Sequence, residues 1–135
     1  MSSVQEVINL KLKKAKSLFA ETDVLMANKF YTTTINRLYY SCFYATSAFI
    51  LTKGYSPKTH KGVSKVLHEH FVNQGYFDME QAAFFGYILQ ERMQDDYNDF
   101  LIIEEEEVVE FIDPAKKYIA YIENLIEEYF KTNNS

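Results

Sequence analysis

Apolar residues recur every three or four positions through most of this chain, a spacing that predicts helices rather than strands. The fullest case is a helix expected from about Lys29 to Lys53. Tyr31, Ile35, Leu38, Cys42, Ala45 and Phe49 form one stripe there, and Tyr39, Phe43 and Ile50 a second beside it. A helix apolar over most of its circumference belongs at the centre of a helical bundle. Its remaining face carries a line of hydrogen-bonding groups, Thr34, Arg37, Ser41 and Tyr44. Arg37 needs partners in such a setting, because an unpaired buried charge costs several kcal/mol.

The flanking segments carry their own start and stop signals. Ser3 and Glu6 have the spacing of a capping box, and Val4, Ile8, Ala15, Leu18, Phe19 and Leu25 follow on one face. Lys11, Lys13, Lys14 and Lys16 fall mostly outside that face. Gly54 suits the left-handed residue that closes the central helix. Pro57 breaks any continuation, and Ser56 or Thr59 caps a third helix that presents Val63, Val66, Leu67, His70 and Phe71 and stops at Gly75. Asp78 to Gln81 read as the start of a fourth helix, whose apolar line runs through Ala82, Phe85, Ile88 and Leu89. That line continues into Arg92 and Asp96, where the period calls for Leu or Ile. Glu104 to Glu107 suit a helix N-terminus, which favours anions. Pro114 either starts a new helix or kinks one begun at Glu104, and Val108, Ile112, Ala115, Ile119, Ile122, Ile126 and Tyr129 keep one face to the end. The expected fold is an all-α, up-and-down bundle of four long helices plus a shorter one. It forms a single domain over residues 1–135, ordered from about residue 3 to about residue 131.

Composition sharpens this picture. Apolar residues make up 47% and aromatics 16%, which excludes a disordered chain, and four Gly and two Pro are too few for a turn-dense β fold. The net charge of −5 counts against a general nucleic-acid binder, although residues 53–70 hold four Lys, one Glu and all three His. Cys42 is the one cysteine and reads as a buried core thiol. The N-terminus lacks the uninterrupted apolar core of a signal peptide, and no apolar run is long enough to span a bilayer, so a cytoplasmic location is expected.

No metal and no cofactor is expected: no Glu stands three residues before a His, and HExxH, P-loop and GxGxxG motifs are absent. What remains is a polar set in an apolar frame: Arg37, Tyr40 or Tyr44, Arg92, Asp96 and Tyr97, with Lys58 and His60 on the loop after the central helix. Arg and Lys beside Tyr suit an anionic, stackable ligand such as a nucleotide or an RNA phosphate. By composition alone the reading favoured is that the same residues form a buried salt-bridge network locking the second and fourth helices, in a protein that is an interaction module.

The segment RLYYSCFYATSAFILTKGYSPKTHKGV, followed by LHEHFVNQG and LQERMQDDYNDF, resembles the small prokaryotic HEPN-domain proteins. The likeness is densest at Arg37-x-Tyr39-Tyr40, at Pro57 to Gly62 and at Arg92-x-x-x-Asp96-Tyr97. It implies a helical bundle, commonly a homodimer, and a protein partner: a minimal nucleotidyltransferase encoded nearby, with the HEPN protein as the toxin of a toxin–antitoxin pair. The expectation is binding of nucleotide or RNA through Arg37, Lys58, His60, Arg92, Asp96 and Tyr97, in which Arg37, Arg92 and Lys58 contact phosphate, Asp96 orients an Arg and Tyr97 stacks on a base or packs in the core. Ribonuclease members carry an Arg, then four to six intervening residues, then a His. Here those places hold Tyr97, Asn98 and Asp99 after Arg92, and Cys42, Phe43 and Tyr44 after Arg37. A binding protein is therefore expected before an enzyme. A metal-independent ribonuclease would need a substitute acid/base group, and His60 qualifies only if its loop folds back over Arg92.

Overall fold

The computed structural model describes the backbone of residues 3–97 and 102–133, and the side chains of residues 3–93 and 102–133. Helix α1, Val4–Ala20, opens where the Ser3 hydroxyl accepts from the Glu6 amide at 3.1 Å. The helix expected to continue through Leu25 instead breaks at Glu21 and resumes as the short α2, Thr22–Ala27. Buried Thr22 gives its hydroxyl to the Phe19 carbonyl at 2.7 Å, a local side-chain bond that competes with the helical ladder. The central helix α3 spans Tyr31–Leu51. Gly54, at φ +85°, closes it, with the Tyr55 amide reaching back to the Ile50 carbonyl at 3.2 Å.

Helix α4, His60–Leu67, runs on into a π-helical turn at His68–Val72, a little short of the expected stop at Gly75. Its start is a tight local unit. Thr59 caps it by accepting from the Gly62 amide at 2.9 Å. A Cβ at residue 62 would lie 2.8 Å from Thr59 Oγ1 and 3.0 Å from Pro57 Cβ, so this closure requires glycine. Helix α5, Met79–Tyr97, starts on a cap in which Asp78 accepts from the Gln81 amide at 3.0 Å. Of the two roles open to Pro114, the structure selects the second kind of path: α6, Glu105–Asn133, is one helix that runs through it.

The result is an all-α bundle of four long helices with short ones between them, and no strand among the described residues. Helix α3 packs against every other α-helix, which explains its nearly all-round apolar surface. One core cluster joins α1, α3, α4, α5 and α6, with Leu38, Phe71, Phe85, Tyr118 and Ile122 at or near zero exposure. No helix of the described residues is long and apolar enough to cross a membrane.

A buried polar pair ties α3 to α6. Thr46 donates its hydroxyl to the Cys42 carbonyl at 2.7 Å, so the Tyr118 hydroxyl, 2.6 Å away, must donate to Thr46. Burial pushes the Tyr118 phenol well above its ordinary pKa and keeps it a donor. The direction of this bond makes the two deletions unequal. Thr46→Val strands a buried O–H and should cost about 2–3 kcal/mol, whereas Tyr118→Phe removes the donor and should cost about 1 kcal/mol. Urea melts of both single variants and the double variant check the order. Equal losses would mean that the bond does not run this way.

Candidate functional site

Three helices converge on one aromatic patch. Helix α3 contributes Tyr39, Tyr40 and Phe43, which gather because Phe43 lies four residues after Tyr39 and three after Tyr40, both neighbouring spacings on a helix surface. The Thr59 cap sets His60 as the first residue of α4 and places its ring on this patch. The imidazole centroid lies 4.5 Å from that of Phe43, 5.5 Å from Tyr39 and 5.7 Å from Tyr40. Its Nδ1 is 2.5 Å from the Tyr39 hydroxyl.

Arg92 arrives on the same patch from α5. One guanidinium nitrogen, Nη2, donates to the Tyr40 hydroxyl at 2.9 Å. The guanidinium carbon lies 5.2 Å from the Tyr39 ring centre and 5.1 Å from that of Tyr40, within cation–π range of both. Tyr39 is wholly buried, while Tyr40, His60 and Arg92 are half-buried. Burial pushes the Tyr39 phenol pKa far up, and the Arg92 charge pulls it down only in part, so the phenol stays neutral. The site thus combines a fixed cation, a neutral phenol, an imidazole and flat aromatic faces. Such a set can hold an anionic group and the ring attached to it.

The structure divides the residues expected from sequence. It brings Tyr40, His60 and Arg92 together, and it chooses Tyr40 over Tyr44, whose ring lies under the Lys14 ammonium at 4.5 Å. Arg37 lies on the other flank of α3. Its Nε pairs with Glu21, at the break between α1 and α2, at 2.9 Å, and its Nη1 donates to Asn36 at 3.0 Å. The line Thr34, Arg37, Ser41 and Tyr44 therefore faces α1 and α2, and Ser41 gives its hydroxyl to the Ala15 carbonyl at 2.6 Å. Lys58 is exposed on the loop into α4, with no ion pair among the described residues. The side chains of Asp96 and Tyr97 fall outside the described residues.

Tyr39 and Phe43 belong to the site although the apolar stripes assign them to the core. A signal existed for Tyr39, since a buried phenol needs a partner for its hydroxyl. Eleven tyrosines in one chain make that signal too common to select one. Cys42 is fully buried, burial pushes its thiol pKa far up, and it does not serve as a nucleophile. Among the described residues no three His, Cys, Asp or Glu side chains gather as a metal site.

Because its partner is exposed, the Arg37 pair is worth little. Arg37→Ala should lower stability by less than about 1 kcal/mol and leave ligand affinity unchanged. Thermal melts and a parallel phosphate titration check both halves.

A family model described as HEPN domain matches residues 8–125. The chain is 30% identical over 128 residues to a UPF0332 protein of Thermotoga maritima, covering 95% of this chain and 97% of that one. Two proteins of Methanocaldococcus jannaschii, named as candidate toxins, are each 30% identical to it. One match covers 80% of this chain and 78% of the relative, the other 88% and 93%.

Proposed function

Because the chain belongs to the HEPN-domain family, we propose that it binds the phosphate of a nucleotide or RNA at Arg92, Tyr40 and His60. One observation carries this: the Arg92 guanidinium of α5 and the His60 imidazole of α4 meet on two adjacent tyrosines of α3, of which Tyr40 is partly open. Arg92 holds the phosphate through its planar donors, and Tyr40 and His60 add hydrogen bonds and flat surface. Lys58, on the exposed loop that leads into His60, supplies a second long-armed cation. Asp96 and Tyr97, which follow Arg92 in sequence, orient the guanidinium and stack on a base. Arg37 is engaged by Glu21 and stays outside the contact set. In this proposal the protein is the toxin half of a pair, acts as a homodimer and is held in check by a nucleotidyltransferase encoded nearby. The kinship with proteins named as candidate toxins supports that role. Titration of labelled oligoribonucleotide and of nucleoside triphosphate tests the site, with Arg92→Ala beside the wild type. Equal binding by both proteins would refute it.

A second reading, metal-independent RNA cleavage, draws support from the position of His60. The residue with the right chemistry for acid/base work packs on the same tyrosines as Arg92, although it comes from another helix. RNA incubated with purified protein and excess chelator separates the two readings. Cleavage lost in both Arg92→Ala and His60→Ala would make the site catalytic; intact RNA with retained binding would leave it a binding site.

A further inference from the structure

On the strength of the phosphate-binding reading above, we propose that the ligand is an RNA strand, which continues along α3 to a second anion subsite formed by Lys11 and Lys14 of α1 beside Tyr44. Charge is divided unevenly along the chain. Residues 7–20 and 38–68 hold eight Lys and no Asp or Glu, whereas the rest holds six cations against nineteen carboxylates. The first of these segments is most of α1, and the second is most of α3 with the loop and the α4 helix that follow. Helices α1 and α3 pack along each other. A protein of net charge −5 thus gathers its basic residues on neighbouring elements, which is the electrostatic footprint of a polyanion site.

Packing gives this basic side an aromatic floor. Tyr40, Phe43, Tyr44 and Ser47 of α3 are half-buried and form one strip, since they follow one another at spacings of three and four. Helix α1 flanks the strip in the opposite direction. The Ser41 hydroxyl meets the Ala15 carbonyl, the Lys14 ammonium lies 4.5 Å from the Tyr44 ring centre, and Lys11 lines a small hollow with Ser47, Ser56 and Pro57. Neither Lys11 nor Lys14 is paired with a carboxylate among the described residues. Tyr40, which carries the phosphate site, and Tyr44, which carries Lys14, have ring centroids 6.4 Å apart. Successive nucleotides of an extended strand can match such a step, with ammonium groups following the backbone and bases stacking on the rings. An acidic peptide would match the charge but leave the flat ring faces without a stacking partner.

Titration of the full chain with uridine monophosphate and with oligouridylates of two, four and eight residues, 2′-O-methylated so that they resist cleavage, tests this. Wild-type affinity should rise with length. The double variant Lys11→Gln, Lys14→Gln should bind the octamer about tenfold more weakly, with a salt dependence shallower by about one to one and a half, and should bind the monophosphate as wild type does. Tyr44→Leu should weaken the octamer by about fivefold or more through lost stacking. Lys117→Gln, on the exposed face of α6, should change nothing. These positions are exposed or half-buried, and thermal melts confirm that each variant is folded. Equal affinity for monophosphate and octamer in the wild type would overturn the proposal, as would a length dependence unchanged in the double lysine variant. Polyglutamate binding as tightly as the octamer would overturn it in favour of an acidic peptide. Octamer binding that needs Lys11 and Lys14 but survives Arg92→Ala would uphold this subsite and count against the phosphate site at Arg92.

Discussion

Arg92→Ala is expected to weaken binding of nucleotide or RNA phosphate by about 10–100-fold, as for loss of one or two charge-assisted hydrogen bonds. The variant should remain a folded helical protein. The described contacts of Arg92 include a hydrogen bond to Tyr40 and two ring faces, and the residue is half-buried. Removing those contacts should cost about 1–2 kcal/mol, well below the stability of an ordinary domain. Arg92→Lys separates charge from geometry, because an ammonium keeps the charge but loses the planar fork, and it should fall between wild type and Ala. The affinity should also decline with added salt in the wild type and less steeply in Arg92→Ala. Isothermal titration together with thermal melts reads all of this. A variant that loses several degrees of Tm and no affinity would show that Arg92 locks α3 to α5 and does not bind ligand.

Phe85→Ala should be the most destabilising change near the site, at about 3–5 kcal/mol. Phe85 is wholly buried and lies nearly parallel to two rings at once, Tyr39 at 6.3 Å and 11°, and Tyr118 at 5.7 Å and 10°. The layer Tyr39–Phe85–Tyr118 is thus the junction of α3, α5 and α6, and its middle member has no room to be replaced by relaxation alone. The cavity left by Ala undercuts Tyr39, so the His60 ring above it should lose its fixed partner as well. Phe85→Leu fills most of that volume and should cost under about 1.5 kcal/mol, with His60 little affected. Urea denaturation gives the stabilities, and a Phe85→Ala loss below that of Phe85→Leu would contradict the packing described.

Much of this protein was legible before any coordinates. The period of apolar residues gave the long helices, and the central position of α3 followed from its nearly all-round apolar surface. The caps at Ser3 and Asp78 and the closure at Gly54 were equally readable, and the cap of α4 was narrowed to Ser56 or Thr59, because each depends on residues within a few positions. Arg92 stood out as a charge in an apolar line, and His60 as a polar residue at a helix start. The break at Glu21 was missed, since the Thr22 bond that accompanies it looks like any other threonine in sequence.

What sequence could not supply was which polar residues meet. Arg37 and Arg92 are equally conspicuous as charges among apolar neighbours, yet one is engaged by Glu21 and the other by Tyr40. Helical periodicity tells which face a residue occupies, but not which neighbouring helix covers that face. That choice depends on how α1, α2, α4 and α5 are arranged around α3, and the arrangement is a property of the whole core. Local spacing therefore determined the helices, their ends and the list of candidate side chains. Only tertiary packing decided that His60, Arg92 and two tyrosines share one patch while Arg37 lies on another, because those contacts join residues that no local interaction relates.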